Sequence, residues 1–311
     1  FTAKSGKFNA SINAVEFGTG DKAVKIGGEN VFPLYSFDAA IENAPKVGIE
    51  ITDFGMEHEP ECIKKYYEGC ATLADMARKA ASMEGVDFLS FRMEGGDPNG
   101  ANKSTEELIG ELKEIADAVD LPLVVCGCKN VEKDAELFSK AAEALNGKNA
   151  VILSAKEENY KTVGAAAGLA YKQVVGAESA VDINLAKQLN VLISQLGVDS
   201  KSVVMNVGTA AVGYGFEYVI STMDRVKAAA LQQGDANLQM PIITPVASEA
   251  WGVKEAMASE TDAPEWGSQE ERGIDMEVET AMAVIAAGSN AVILKHPESI
   301  KIISGLMKEL V

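Results

Sequence analysis

Histidine is almost absent. His58 and His296 are the only two in 311 residues, and they exclude a metal centre built from several histidines. Cysteine is scarce as well. Cys62, Cys70, Cys126 and Cys128 are no disulfide framework for a chain of this size, and a reducing, cytoplasmic setting is the simpler context. Basic residues are outnumbered, 28 Lys+Arg against 46 Asp+Glu, for a net charge of -18. A nucleic-acid partner would require a basic face, and an anionic membrane surface is disfavoured for the same reason. No apolar run is long enough to cross a bilayer, and no secretory leader pattern stands out. A phosphate-binding P-loop is missing. So is a Gly-x-Gly-x-x-Gly exit after the first strand, which removes the main dinucleotide-binding signal.

What the chain does have is repetition. Eight apolar runs, at 47–53, 86–93, 121–127, 150–155, 174–178, 203–208, 241–246 and 291–296, are each followed by a helical pattern. The clearest is Val203-Val204-Met205-Asn206-Val207, which runs into Gly208, Gly213 and Gly215 before a helix begins near Phe216. A β-branched run that ends in a glycine-rich turn is a buried parallel strand feeding a helix. Helix signals fill the gaps. Ser104 and Glu107 have capping-box spacing. Asp182 caps a helix whose Leu185, Leu189, Leu192 and Leu196 share a face, and Gly197 ends it. Cys62 and Cys70 fall on another predicted helix.

Eight strand–helix units predict an α/β fold, a (β/α)8 TIM barrel, with a doubly wound open sheet as the rival. Residues 1–30 alternate in strand fashion. Segments 11–17 and 23–26 flank Gly18-Thr19-Gly20-Asp21 and predict a β-hairpin under the barrel. The expected organisation is one TIM-barrel domain over 1–311, with 1–40 as an N-terminal hairpin extension. The long stretch 247–272, with Trp251 and Trp266, is a connection of the length that carries function.

Strand exits are where barrels of this kind place functional groups. Here they bring Asp53, Arg92, Asp97, Lys129, Asn130, Ser154, Glu178, Asn206, Thr209, Ser248 and His296 to the rim. Each also has a plain reading as a group that satisfies backbone. Cys126-Gly127-Cys128 places two thiols at i and i+2, which is not the spacing of a zinc or redox pair. His296, before Pro297, reads as a hydrogen-bonded rim residue. The loop Glu94-Gly95-Gly96-Asp97-Pro98-Asn99-Gly100 reads equally as a ligand loop or a tight connection.

In its ordered motifs the chain resembles the small subunit of the corrinoid/iron–sulfur protein of the reductive acetyl-CoA (Wood–Ljungdahl) pathway of carbon dioxide fixation. The stretches that carry the likeness are Gly28-Glu29-Asn30-Val31-Phe32-Pro33, 47–53, 181–190, 206–218, Glu249-Ala250-Trp251, Pro264-Glu265-Trp266-Gly267 and Lys295-His296-Pro297. The resemblance implies a barrel related to pterin-binding methyltransferases. It also implies a non-catalytic subunit in a heterodimer, whose large subunit alone carries the [4Fe-4S] cluster and the mobile cobalamin domain. Such a complex accepts a methyl group from methyltetrahydrofolate through a methyltransferase and delivers it to acetyl-CoA synthase. The barrel mouth helps cover the cobalamin. With the mouth as the working face, the expected corrinoid-binding residues are those at strand exits: Arg92, Ser154, Asn206, Gly208, Thr209, Ser248 and His296, with no catalytic or metal ligand among them. The alternative is a free-standing pterin-dependent methyltransferase, in which Asp53 and Asn206 hold the pterin.

Overall fold

All eight apolar runs form parallel strands, and the sheet closes. The computed structural model describes residues 6–311. A short antiparallel pair comes first, β1 (Val15–Phe17) with β2 (Val24–Ile26), in register Val15 to Ile26 and Phe17 to Val24. The barrel strands follow: β3 (Lys46–Thr52), β4 (Phe88–Arg92), β5 (Leu123–Cys126), β6 (Val151–Ala155), β7 (Val174–Glu178), β8 (Val203–Asn206), β9 (Ile242–Pro245) and β10 (Ser289–Leu294). They are ordered sequentially around the barrel, and β10 closes onto β3. The fold is therefore a (β/α)8 barrel, not an open sheet.

Apart from β6 and β7, the ladders stop earlier than the apolar runs. Strand β8 ends at Asn206, because the next residues turn at Gly208, whose φ is +90°. Strand β10 begins two residues before the expected run, at Ser289. Ser289 Oγ lies 2.8 Å from Thr244 Oγ1, both buried on the outer side of the sheet. The hairpin strands are shorter than segments 11–17 and 23–26, and residues 1–5 of the expected alternation lie outside the described residues.

The helix caps appear where the sequence placed them. Ser104 Oγ accepts from Glu107 N at 3.1 Å, and Asp182 Oδ1 accepts from Asn184 N and Leu185 N. The helix Ile183–Gln195 is rotated from the expected leucine stripe. Its buried residues are Ala186, Leu189, Asn190 and Ile193, while Leu185, Leu192 and Leu196 are half-buried. Cys70 is not helical: the helix Glu61–Lys64 and its following 3-10 turn end at Tyr67.

The hairpin plugs the N-terminal end of the barrel. Val15, Phe17, Val24 and Ile26 pack with the inward-facing Phe88, Val124, Val151, Val174, Val204, Ile243 and Ile293. Phe17 meets Phe88 edge-on, with ring centroids 5.5 Å apart. A side chain at position 48 would collide with that arrangement, since a Cβ on Gly48 would stand 2.1 Å from the Phe88 ring. Burying Phe17 contributes roughly 1.5–3 kcal/mol. Polar ties hold the plug: Gly18 N donates to Asn149 O at 2.7 Å, and Asn149 Nδ2 donates to Glu16 O at 3.0 Å. Deeper in, the fully buried Lys227 donates to Glu29 Oε1 at 3.0 Å and to Asn290 Oδ1 at 2.9 Å.

No helix among the described residues is long and apolar enough to cross a membrane.

Candidate functional site

Side chains alternate in and out along each strand. At the C-terminal end, the inward positions include Glu50 and Thr52 on β3, Arg92 on β4, Cys126 on β5, Glu178 on β7 and Asn206 on β8. Lys295 follows β10. The barrel is thus apolar below and polar at its mouth.

The mouth is divided into two chambers. The larger, about 470 Å³, lies over β5 to β9. Arg92, Ser154, Asn206, Gly208, Thr209 and Ser248 all line it. Cys126 and Glu178 add to its wall, and Tyr214 and Tyr218 stand at its edge, 48% and 67% exposed. A smaller chamber of about 280 Å³ lies over β10, β3 and β4. Arg92 and Ser248 are common to both.

The polar groups of the larger chamber hold one another. Lys156 Nζ lies 3.3 Å from Glu178 Oε1. Ser154 Oγ donates to Glu178 Oε2 at 2.9 Å and accepts from Asn206 Nδ2 at 3.1 Å. Asn206 Oδ1 in turn accepts from Gly208 N at 3.1 Å. Both ends of the Asn206 amide are thereby fixed. Lys129 pairs with Glu249 at 3.1 Å. Arg92 Nε donates to Glu50 Oε2 at 3.0 Å, and its Nη2 lies 2.8 Å from the same oxygen. Asp134 accepts from Cys128 N at 2.7 Å. Of the buried hydroxyls of this lining, Thr209 Oγ1 has no hydrogen-bond partner among the described residues.

His296 is not brought to either chamber. It ends the β10 exit and starts the helix Pro297–Leu310, where its Nδ1 accepts from Glu298 N at 3.1 Å. Its ring is fully buried, stacked on Trp251 with centroids 5.9 Å apart and edge-on to Tyr66. Burial pushes its pKa down from 6.5 to about 4, against the opposing pull of Glu270. Just behind it, the buried Glu277 accepts from Lys295 N at 2.6 Å and His296 N at 3.1 Å, and burial raises its pKa.

The other rim candidates have structural posts. Asp53 faces outward and accepts from Gly95 N at 2.9 Å, with Lys103 Nζ 3.1 Å away. Asp97 turns its own loop by accepting from Asn99 N. Asn130 caps the helix Val131–Ala144. The two cysteines of the Cys126-Gly127-Cys128 pair part company. Cys126 faces the barrel interior, whereas Cys128 Sγ lies 3.2 Å from Asp134 in the outer core, and burial raises its thiol pKa to about 12. Sequence reasoning missed Glu50, Glu59 and Lys295. The signal for Glu50 was present: it shares the inward parity of Thr52 in a strand whose Ile49 and Ile51 face out.

A family model described as the CO dehydrogenase/acetyl-CoA synthase delta subunit matches residues 14–307. Subunit delta 1 of the acetyl-CoA decarbonylase/synthase complex of Methanosarcina thermophila is 30% identical over 300 residues, which cover 94% of this chain and 67% of that protein. Subunit delta of the corresponding complex of Methanothermobacter thermautotrophicus is 31% identical over 299 residues, 95% of this chain and 75% of that one. Among solved structures, dihydropteroate synthase from Thermus thermophilus in complex with 4-aminobenzoate superposes with a TM-score of 0.56 at 13% identity, covering 95% of this chain and all 100% of that one. Dihydropteroate synthase from Xanthomonas albilineans in complex with 7,8-dihydropteroate gives 0.55 at 12% identity, over 86% and 94%. At such identities the likeness is one of fold.

Proposed function

The chain belongs to the CO dehydrogenase/acetyl-CoA synthase delta subunit family, and from that premise we propose that its barrel mouth covers one face of a corrinoid held by a larger partner subunit. The partner carries the [4Fe-4S] cluster as well. The assembled pair accepts a methyl group from methyltetrahydrofolate, through a methyltransferase, and delivers it to acetyl-CoA synthase.

One observation carries this reading. The ionic groups of the larger chamber that could do chemistry are paired internally, while the rim around them is glycine-rich and aromatic. Arg92, Lys129, Asp134, Lys156 and Glu178 each have a protein partner. Such a site is built to hold and to shield. Gly208 and Gly215, both on the chamber wall, let backbone approach a flat macrocycle closely. Tyr214 and Tyr218 offer apolar faces beside it.

The residues fit part of a corrinoid. A cavity of about 470 Å³ takes a small ligand whole, but only a face or an edge of a macrocycle with a nucleotide tail. The remainder belongs to the partner. Thr209 lines the chamber, and a turn of its side chain would bring the hydroxyl, buried and unpartnered as it stands, to the ring's periphery as donor and acceptor. When bound, the corrinoid supplies the cobalt that carries the methyl group. The chain's own residues exclude water from that face and hold the rim rigid through the Glu178–Ser154–Asn206 series.

The rival reading asked Asp53 and Asn206 to hold a pterin together. Asn206 lines the chamber, but Asp53 is engaged elsewhere by Gly95 N and Lys103. The test is direct. Co-expressed with the corrinoid-bearing subunit, the chain should co-purify with it and shift its corrin absorbance. Alone, it should not move a methyl group from methyltetrahydrofolate to free cobalamin. Transfer by the isolated chain would establish the methyltransferase reading instead.

A further inference from the structure

The smaller chamber has an unusual electrical character. It is walled by two closed ion pairs. Arg92 sets Nε and Nη2 against one oxygen of Glu50, and Lys295 Nζ meets Glu59 Oε1 at 2.7 Å. These side chains are nearly inaccessible, at 8% and 1% for Arg92 and Glu50, and 13% and 9% for Lys295 and Glu59. Glu50 Oε1 and Glu59 Oε2 accept nothing from the described residues. Each cation also keeps N–H groups beyond those already given, because guanidinium has five donors and ammonium three. Thr52 and Ser248 add hydroxyls, which turn either way. Phe54, Trp251 and Met257 supply apolar wall.

This lining selects by charge. A carboxylate entering the chamber would face Glu50, Glu59 and, at the entrance, Glu94. A cation would face Arg92 and Lys295. Either would bring an uncompensated charge beside pairs that already neutralise each other, and an ion without a counter-ion in such a place is heavily penalised. A neutral group that both donates and accepts breaks nothing. It gives N–H to the idle carboxylate oxygens and takes N–H from the idle cation donors. A primary carboxamide has two donors and an acceptor on one plane, and its methylenes suit the apolar wall.

We propose that the smaller chamber is a primary-carboxamide site, and that in the assembled complex it receives an amide side arm of the corrinoid, which locks the rotation of the ring over the mouth. This rests on the corrinoid reading above. The chambers share Arg92 and Ser248, so an arm leaving a ring seated over the larger chamber crosses only that common wall.

The test titrates the chain into partner subunit loaded with either intact cobalamin or derivatives in which one side-arm amide has been hydrolysed to a carboxylate. Corrin absorbance reports docking. One derivative should dock at least tenfold more weakly than intact cobalamin, and the others near normally. Met257→Trp, which fills the chamber from an exposed position without cutting an ion pair, should weaken docking of intact cobalamin by a similar factor and erase the discrimination. Thr52→Val, which changes a hydroxyl without changing volume, should weaken it more mildly. If all derivatives dock alike and both variants behave as wild type, the chamber proposal falls while the mouth reading stands. If the chain neither associates with the loaded partner nor shifts its spectrum, both fall.

Discussion

Ser154 and Asn206 are joined across an intervening strand. They sit on β6 and β8, and Asn206 Nδ2 reaches over β7 to donate to Ser154 Oγ at 3.1 Å. The residue beneath this bridge, Glu178 on β7, accepts from Ser154 at 2.9 Å. Three consecutive strand exits are thereby fastened into one rigid segment of rim.

Cutting the bridge should loosen that rim. Ser154→Ala leaves Asn206 Nδ2 and Glu178 Oε2 each short of a partner. The expected cost is roughly 1–3 kcal/mol, read as a lower denaturation midpoint with unchanged m-value. Weaker docking to the corrinoid subunit should accompany it. Ser154→Thr keeps the hydroxyl and should restore most of both. Equal stability of the Ala variant and wild type would show that the bridge carries no load.

Thr209 predicts the opposite sign. Its buried hydroxyl has no partner in the isolated chain, so Thr209→Val should stabilise the free protein, by about 1 kcal/mol from the relieved desolvation. Docking should weaken if the hydroxyl serves the bound corrinoid. A variant that loses stability would mean the hydroxyl is already satisfied, by water for instance.

Gly208 is a poor place to probe the same loop with bulk. Its φ of +90° is left-handed, and a Cβ would stand 3.3 Å from Val181 N. Gly208→Ala should cost about 1–2 kcal/mol through backbone strain alone. Thermal unfolding checks this, and an unshifted midpoint would contradict it. Ala210, which lines the chamber beside it, is the better site for an obstructing side chain.

His296 makes stability depend on pH. Folded, it takes a proton near pH 4; unfolded, near its ordinary 6.5. The unfolded state therefore binds the extra proton between those values. Stability is level in this respect above about pH 6.5 and declines as pH falls toward 4, by roughly 3 kcal/mol when complete. His296→Asn retains an acceptor for Glu298 N and removes the titration. Urea melts at about pH 7.5 and about pH 4.5 should show the wild type losing ground relative to the variant as pH drops. A constant gap between them would rule this out.

Lys227 ties the N-terminal segment to the barrel floor. Lys227→Met leaves Glu29 buried beside Asn290 without its cation, and should cost about 3–5 kcal/mol. The paired change Lys227→Met with Glu29→Gln should recover much of that. Failure of the double variant to improve on the single one would argue against a charge effect.

The fold was largely legible because its strands are buried on both faces. Runs such as Val203-Val204-Met205 have no other economical reading, and Gly18-Thr19-Gly20-Asp21 gave away the hairpin. The site was legible only in part, and strand parity explains the division. Asn206 and Arg92 end their strands facing inward and were found at the mouth. Asp53 stands one residue beyond Thr52 and so faces outward. His296 was misplaced for a different reason: Pro297 begins a helix at once, and the imidazole turns back to cap it. Glu59 reaches the smaller chamber from a loop, and nothing in local sequence announces its partner Lys295, 236 residues away.

The hairpin beneath the barrel leaves the vessel with a single door. Phe17 and Phe88 close the far end, so whatever enters the mouth must leave by the way it came. A partner docked over the mouth, as proposed above, would stand in that doorway. Anything seated below it is then confined for as long as the partner stays, and the sequence of departure becomes the reverse of the sequence of arrival. Exchange at such a site would be governed by the slowest outer occupant, however weakly the inner one is held.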